Sequence, residues 1–174
     1  MIRSLDGIAP RVHPTAFVSE FAYVVGDVEI GEGSSIWPGA VLRASSGPIT
    51  IGKHTSVQDN CVVQGDAGIL IGDRVVIGHL ALCHAKRVGD RVLIGSGANV
   101  KGGVEIGEDS LVASAAVVAD DMIVPPLSLV VGVPARIKGP VAERHTETIK
   151  SLCDSYIHKT ERYRKQGDLE SERR

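Results

Sequence analysis

The stretch VQDNCVVQGDAGILIGDRVVIGHLALCHAKRV, from Val57 to Val88, decides how the whole chain is read. Val57, Val63, Ile71, Ile77, Cys83 and Val88 mark a beat of six residues that is stretched once, before Ile71, and shortened once, before Val88. A period of six is neither that of an α-helix nor the simple alternation of a flat strand. Two histidines, His79 and His84, lie five apart where the rhythm falters.

The same beat extends in both directions. Upstream it runs through Val12, Val18, Val24, Ile30, Ile36, Leu42 and Ile51, and downstream through Ile94, Val100, Ile106, Val112 and Val118. Of these eighteen positions seventeen are Val, Ile or Leu, so one aliphatic column runs through most of the molecule. Four residues after each beat the side chain is mostly small, as at Ala16, Ala22, Ser34, Ala40, Thr55, Cys61, Ala81, Ala98, Ser110 and Ala116. This is the hexapeptide pattern of a β-helix, in which a short strand and a turn form one side of a coil. Three units close a triangular coil, and stacked coils pair their strands about 4.8 Å apart. The expected fold class is therefore an all-β solenoid.

Counting in threes gives each position a side. Val12, Ile30, Ile51, Ile71, Val88 and Ile106 fall on the first side; Val18, Ile36, Val57, Ile77, Ile94 and Val112 on the second; Val24, Leu42, Val63, Cys83, Val100 and Val118 on the third. Every break in spacing follows the third side, with extra residues between Leu42 and Ile51 (Ser45, Ser46, Gly47 and Pro48 among them) and between Val63 and Ile71. Insertions in solenoids collect on one face, which predicts a binding edge at this corner. Past Val118 the beat fades through Pro125 and Pro126 and the segment from Val131 to Arg136, where the coil is expected to end. From about Val141 the pattern turns helical, with Ile149, Leu152, Cys153, Tyr156, Ile157 and Tyr163 on one stripe that would pack along the solenoid. The division expected is a β-helix over 1–140, an α-helix over 141–166 and a frayed tail over 167–174.

The totals agree with one β-rich domain. In 174 residues 43% are hydrophobic but only 3% aromatic, and there are 20 glycines, so the core must be Val, Ile and Ala against tightly turning backbone. A net charge of -2 gives no electrostatic footprint for nucleic acid or an anionic membrane. No apolar run reaches the length of a membrane span and the first residues lack a signal-peptide pattern, which points to a cytoplasmic protein. The three cysteines, Cys61, Cys83 and Cys153, form no CxxC pair and suggest neither disulfides nor a thiolate zinc site. Cys61 and Cys83 fall on core positions and read as small buried hydrophobes.

On the third side the residues following the inward aliphatics are Arg43, Gln64 and His84, stacked on consecutive coils. Gln64 and His84 should lie one strand spacing apart, close enough to share an ion. His79 lies two residues past Ile77 on the second side, directly over Asp59, which lies two past Val57. One chain cannot bring both corners to one ion. If His79 and His84 share a metal, it sits between subunits, and cyclic symmetry makes a ring of identical sites.

These residues carry a resemblance. The repeat resembles the hexapeptide-repeat superfamily, whose fold is a left-handed parallel β-helix; periodicity alone would favour the right-handed crossover usual in proteins. Within it, Trp-Pro-Gly-Ala-Val-Leu-Arg (Trp37 to Arg43), Val-Gln-Asp-Asn (Val57 to Asn60) and Ile-Gly-His with a second His five residues on (His79 and His84) are similar to the γ-class carbonic anhydrases. The resemblance covers nearly the whole chain from Arg11 to the C-terminal helix. It implies a homotrimer with three intersubunit sites for zinc or a similar divalent metal, each held by His84 and position 64 of one chain and His79 of the next, with carbon dioxide and bicarbonate as substrate and product. It implies supporting roles at the site for Gln58, Arg43 and Asp59.

This chain departs from the pattern twice. Gln64 stands where the family has its first metal histidine, and Ser45 where it usually has Asp. An amide oxygen is a poorer ligand than imidazole for zinc or cobalt, so metal binding and hydration should be weakened. Each residue also has a plainer reading. Arg43 and Asp59 could form a structural ion pair between subunits, and Gln58 could orient water or cap a turn. His54 reads as a solvated turn residue, His13, His145 and His158 lack a partner pattern, and Tyr156 could approach the site from the helix. Two rival functions stand beside hydration: a non-catalytic binding or assembly protein that kept the trimer, and an acyltransferase using acyl-coenzyme A.

Overall fold

The computed structural model describes residues 1–65 and 67–171, with side chains described as far as residue 166. The chain is a left-handed parallel β-solenoid of about seven turns followed by one helix, Glu143–Ser171. The three sides are those counted from the sequence. Ile36, Val57, Ile77, Ile94 and Val112 pair in register down the second side, and Leu42, Val63, Cys83, Val100 and Val118 down the third. All eighteen inward residues are buried except Val12 and Val18, which are half-buried in the first coil. Fully burying each such side chain stabilises the fold by about 1.5–3 kcal/mol, and a coil gains this only when its neighbours cover it.

The small residues at the corners are chosen for chemistry as well as size. Ser34 Oγ donates to the Gly52 carbonyl at 2.6 Å and accepts the Thr55 N–H at 2.9 Å. Thr55 Oγ1 repeats this one coil on, donating to Gly72 O at 2.8 Å and accepting Val75 N–H at 3.0 Å. Backbone groups that the turn takes out of the ladder are thus satisfied by a buried hydroxyl. At many corners the residue before the small position adopts left-handed φ, as at His54 (52°), Asn60 (58°), Leu80 (62°) and Leu127 (59°).

The extra residues after Leu42 belong to one continuous strand, Val41–Ile51, that passes through the corner beside Tyr23–Ile30. Register slips between Gly26 and Val28, where Asp27 stands opposite residues 45–48. Gly26 (φ 84°) is required there, because a Cβ would lie 2.5 Å from the Ala44 carbonyl oxygen. The corner is filled from within by Val28, Ile49 and Ile69, all buried. The beat continues past Val118, where the sequence reading has it fade, because Val124 and Val130 follow at intervals of six. Ile123–Val124 adds a rung to the first side and Ser128–Gly132 one to the second, with Val124 and Val130 buried. Ile2–Arg3 adds one above Val24 and Val25. Ser128–Gly132 then turns back into Ala135–Pro140, which pairs with it antiparallel.

The helix begins at Glu143 rather than 141 and continues through Ser171, so residues 167–171 of the expected tail are helical; 172–174 lie outside the described residues. Its stripe packs on the outer face of the second side, where Ile149 and Cys153 join Val76 and Leu93. Further along, Tyr156 and Tyr163 meet Trp37 edge-on at 5.3 and 5.0 Å between ring centroids, and Trp37 Nε1 donates to Ser35 and Ser56. No helix among the described residues is long and apolar enough to cross a membrane.

All three cysteines are buried free thiols. Burial pushes Cys83 up to about 11 and Cys61 up to about 12, from an ordinary thiol value of 9.0. Such thiols contribute stability that is complete below the unfolded value and is lost as pH rises through the folded values. The urea midpoint should therefore fall between about pH 8 and about pH 10.5, and fall less in Cys83→Val, which keeps an aliphatic between Val63 and Val100.

Candidate functional site

Two polar clusters occupy different corners of the same coils. On the turn after the second side, the register Val57 to Ile77 stacks Asp59 on His79. His79 Nδ1 lies 2.9 Å from Asp59 Oδ2, with the two side chains 47% and 37% exposed. Gln58 is nearly fully buried, and its Oε1 accepts the His79 backbone N–H at 3.1 Å. That bond is of the turn-capping kind. From the helix, the Tyr156 hydroxyl reaches His79 Nε2 at 3.3 Å. Burial, with the Asp59 carboxylate adding to it, raises the Tyr156 phenol above its ordinary value, so it remains a donor.

The second cluster follows the third side. Val41–Ile51, Val62–Val63 and Leu82–Cys83 pair in register, which puts Arg43, Gln64 and His84 in one column. Arg43 joins the two departures from the family pattern: Nη2 donates to Gln64 Oε1, and Nη1 to Ser45 Oγ at 3.0 Å. The amide oxygen expected to face a metal is thus held by a guanidinium. His84 is half-buried, and its imidazole has no hydrogen-bond partner among the described residues.

Within one chain the structure joins Gln58, Asp59 and His79, and separately Arg43, Ser45 and Gln64, with His84 next in that column. It does not join the two groups. Accordingly, among the described residues no three His, Cys, Asp or Glu side chains gather as a metal-binding group. Trp37 escaped sequence reasoning as a support for Tyr156, since its role depends on how the helix is laid down. His54 differs from the solvated residue expected: its Nδ1 is buried against Gly33 and has no partner among the described residues.

Comparison with known proteins follows the same outline. Residues 9–44 match the family model described as bacterial transferase hexapeptide (six repeats). Over 146 residues the chain is 39% identical to a probable carbonic anhydrase of Methanocaldococcus jannaschii, covering 83% of this chain and 92% of that one. It is 36% identical over 156 residues to gamma carbonic anhydrase 1, mitochondrial, of Arabidopsis thaliana, covering 85% of this chain but spanning only 57% of that protein's length. Among solved structures, a hexapeptide transferase family protein from Anaplasma phagocytophilum superposes with a TM-score of 0.90 at 31% identity, covering 93% of this chain and 97% of that one. With the repeat, the Val57 to Asn60 motif and the His79/His84 spacing all in place, the chain belongs to the γ-carbonic-anhydrase-like family of hexapeptide-repeat proteins.

Proposed function

We propose that the protein is a homotrimer whose subunits share divalent-metal sites between His79 of one chain and His84 of the next, and that it hydrates carbon dioxide weakly. The observation that carries this reading is the state of His79. An imidazole that donates from Nδ1 to a carboxylate keeps its lone pair on Nε2, the arrangement common to metal-ligating histidines. His84 is an unengaged second imidazole on the neighbouring corner. Two surfaces suit a ring of copies: the outer face of the third side is lined by Tyr23, Val41, Val62, Leu82 and Val117, none of them buried, and Phe21 and Leu80, 72% and 67% exposed, flank the His79 corner. Unlike patches that meet head to tail close into a ring when the rotation allows.

The two imidazoles fit a zinc-type ion; Gln64 fits only if it releases Arg43. When bound, such an ion would act as a Lewis acid that makes water nucleophilic at neutral pH. Asp59 would fix the His79 ring and its tautomer, and Gln58 would hold the His79 backbone. Arg43 would keep a positive charge at the rim, where it favours an anionic product and disfavours the cation.

Protein purified without chelator should scatter light as a trimer, contain sub-stoichiometric zinc or cobalt, and lose it in His79→Ala and His84→Ala. A monomer at micromolar concentration would remove the shared site. A trimer that holds no metal and shows no hydration by stopped flow would favour the second reading, an assembly or binding protein on the same scaffold. The Arg43 to Gln64 bond is the observation on that side.

A further inference from the structure

We infer that Tyr156 is a positioning residue that caps the metal-binding lone pair of His79, so that an ion entering the site must displace the phenol of the C-terminal helix. The inference rests on the metal reading above. All four polar atoms of His79 are engaged within one chain: the backbone N–H with Gln58 at 3.1 Å, the carbonyl with the Gly97 N–H at 2.8 Å, Nδ1 with Asp59 at 2.9 Å and Nε2 with the Tyr156 hydroxyl at 3.3 Å. In the neutral ring, Nδ1 donates its N–H to the Asp59 carboxylate, so Nε2 is the acceptor and the phenol O–H the donor.

The phenol is held by packing. Tyr156 is 7% exposed, its ring stands edge-on to Trp37, Lys159 Nζ lies 4.1 Å from the ring centroid, and its carbonyl accepts from Thr160 Oγ1 at 2.8 Å. Its hydroxyl is therefore delivered to His79 by the seating of the helix. At 3.3 Å the bond is at the long, weak end of its class, which makes the cap displaceable. A zinc-type ion needs the Nε2 lone pair at about 2.0–2.1 Å, and one lone pair cannot serve both partners. Helix seating and metal loading thus compete for one pair of electrons, and the competition is reciprocal: what loosens the phenol tightens the ion.

Tyr156→Phe tests this while keeping the ring against Trp37. Zinc affinity, measured by competition with a chromophoric chelator, should tighten about 5-fold, the equivalent of one ordinary hydrogen bond. In metal-free protein the His79 Nε2 nitrogen resonance should move toward that of a free lone pair. Tyr163→Phe, in the same aromatic cluster, should change neither. A purely structural tyrosine would weaken metal binding when altered. Affinity that falls or stays the same in Tyr156→Phe, while His79→Ala still abolishes it, overturns the competition and leaves the metal reading standing. Affinity indifferent to His79→Ala, or zinc bound by no variant, sinks the metal reading and the competition together. An unmoved Nε2 resonance overturns the contact itself.

Discussion

Ile77→Asp should yield no folded protein. Ile77 is fully buried on the second side, in register with Val57 above and Ile94 below. A carboxylate there has neither water nor a cation, a penalty of several kcal/mol on top of the lost aliphatic burial. Against a total stability of about 5–15 kcal/mol that is enough to unfold a domain, and a break in a middle coil uncovers the rungs on both sides of it. Ile77→Ala, which leaves a cavity without a charge, should fold with a loss of about 2–5 kcal/mol. Leu70→Asp, on the exposed outer face of the first side, should stay within about 0.5 kcal/mol of the parent. Circular dichroism melts and soluble yield separate the three; a cooperative melt of Ile77→Asp at the parent temperature would mean that the inward register is wrong.

Gln64→His should produce the largest gain in metal binding available from one substitution. It replaces an amide oxygen that Arg43 already occupies with an imidazole, whose ring nitrogen is the better ligand for a zinc-type ion. Three neutral nitrogens leave one open position on a tetrahedral ion, the arrangement of catalytic zinc sites. Zinc affinity should rise by more than the roughly 10- to 100-fold that outer-shell partners command, and hydration should rise with it. Ser45→Asp added to Gln64→His offers Arg43 a carboxylate in place of the hydroxyl it now holds, and should raise the rate further. Stoichiometric zinc in the double variant with no hydration above buffer would end the carbonic-anhydrase reading as mechanism and leave a binding role.

What could be read from the sequence is what the six-residue period controls. The column from Val24 to Val118 is inward because one residue in six must be, and the stacking of Asp59 on His79, or of Arg43, Gln64 and His84, follows by counting from it. Periodicity fails where the backbone keeps extending without repeating. Ser45 to Pro48 lie in a strand that slips past its neighbour, and Ile49 and Ile69 are core residues off the beat. Val124 and Val130 kept the beat but were obscured by Pro125 and Pro126, since proline marks an end of pairing more often than a corner. The grip of Arg43 on Gln64 and the reach of Tyr156 to His79 depend on side-chain direction and on where a helix lands, neither of which spacing encodes. The placement of Tyr156 needs Trp37, 119 positions earlier in the chain, as the surface on which it rests.

The reversed strand Ala135–Pro140 has a consequence for growth. A stack of coils has no natural length, because the last rung offers the next chain the same parallel template that each rung offered its successor, and unguarded ends of this kind polymerise. Here two of the three sides finish on parallel rungs, Val117–Val118 and Ile123–Val124, and the other finishes on a strand running the opposite way. A second molecule arriving end-on would have to pair parallel on two edges and antiparallel on the last, which a regular coil cannot do. The hairpin works as a terminator: it keeps the rod finite and its axis closed to filaments, leaving its flanks as the surfaces through which copies can meet.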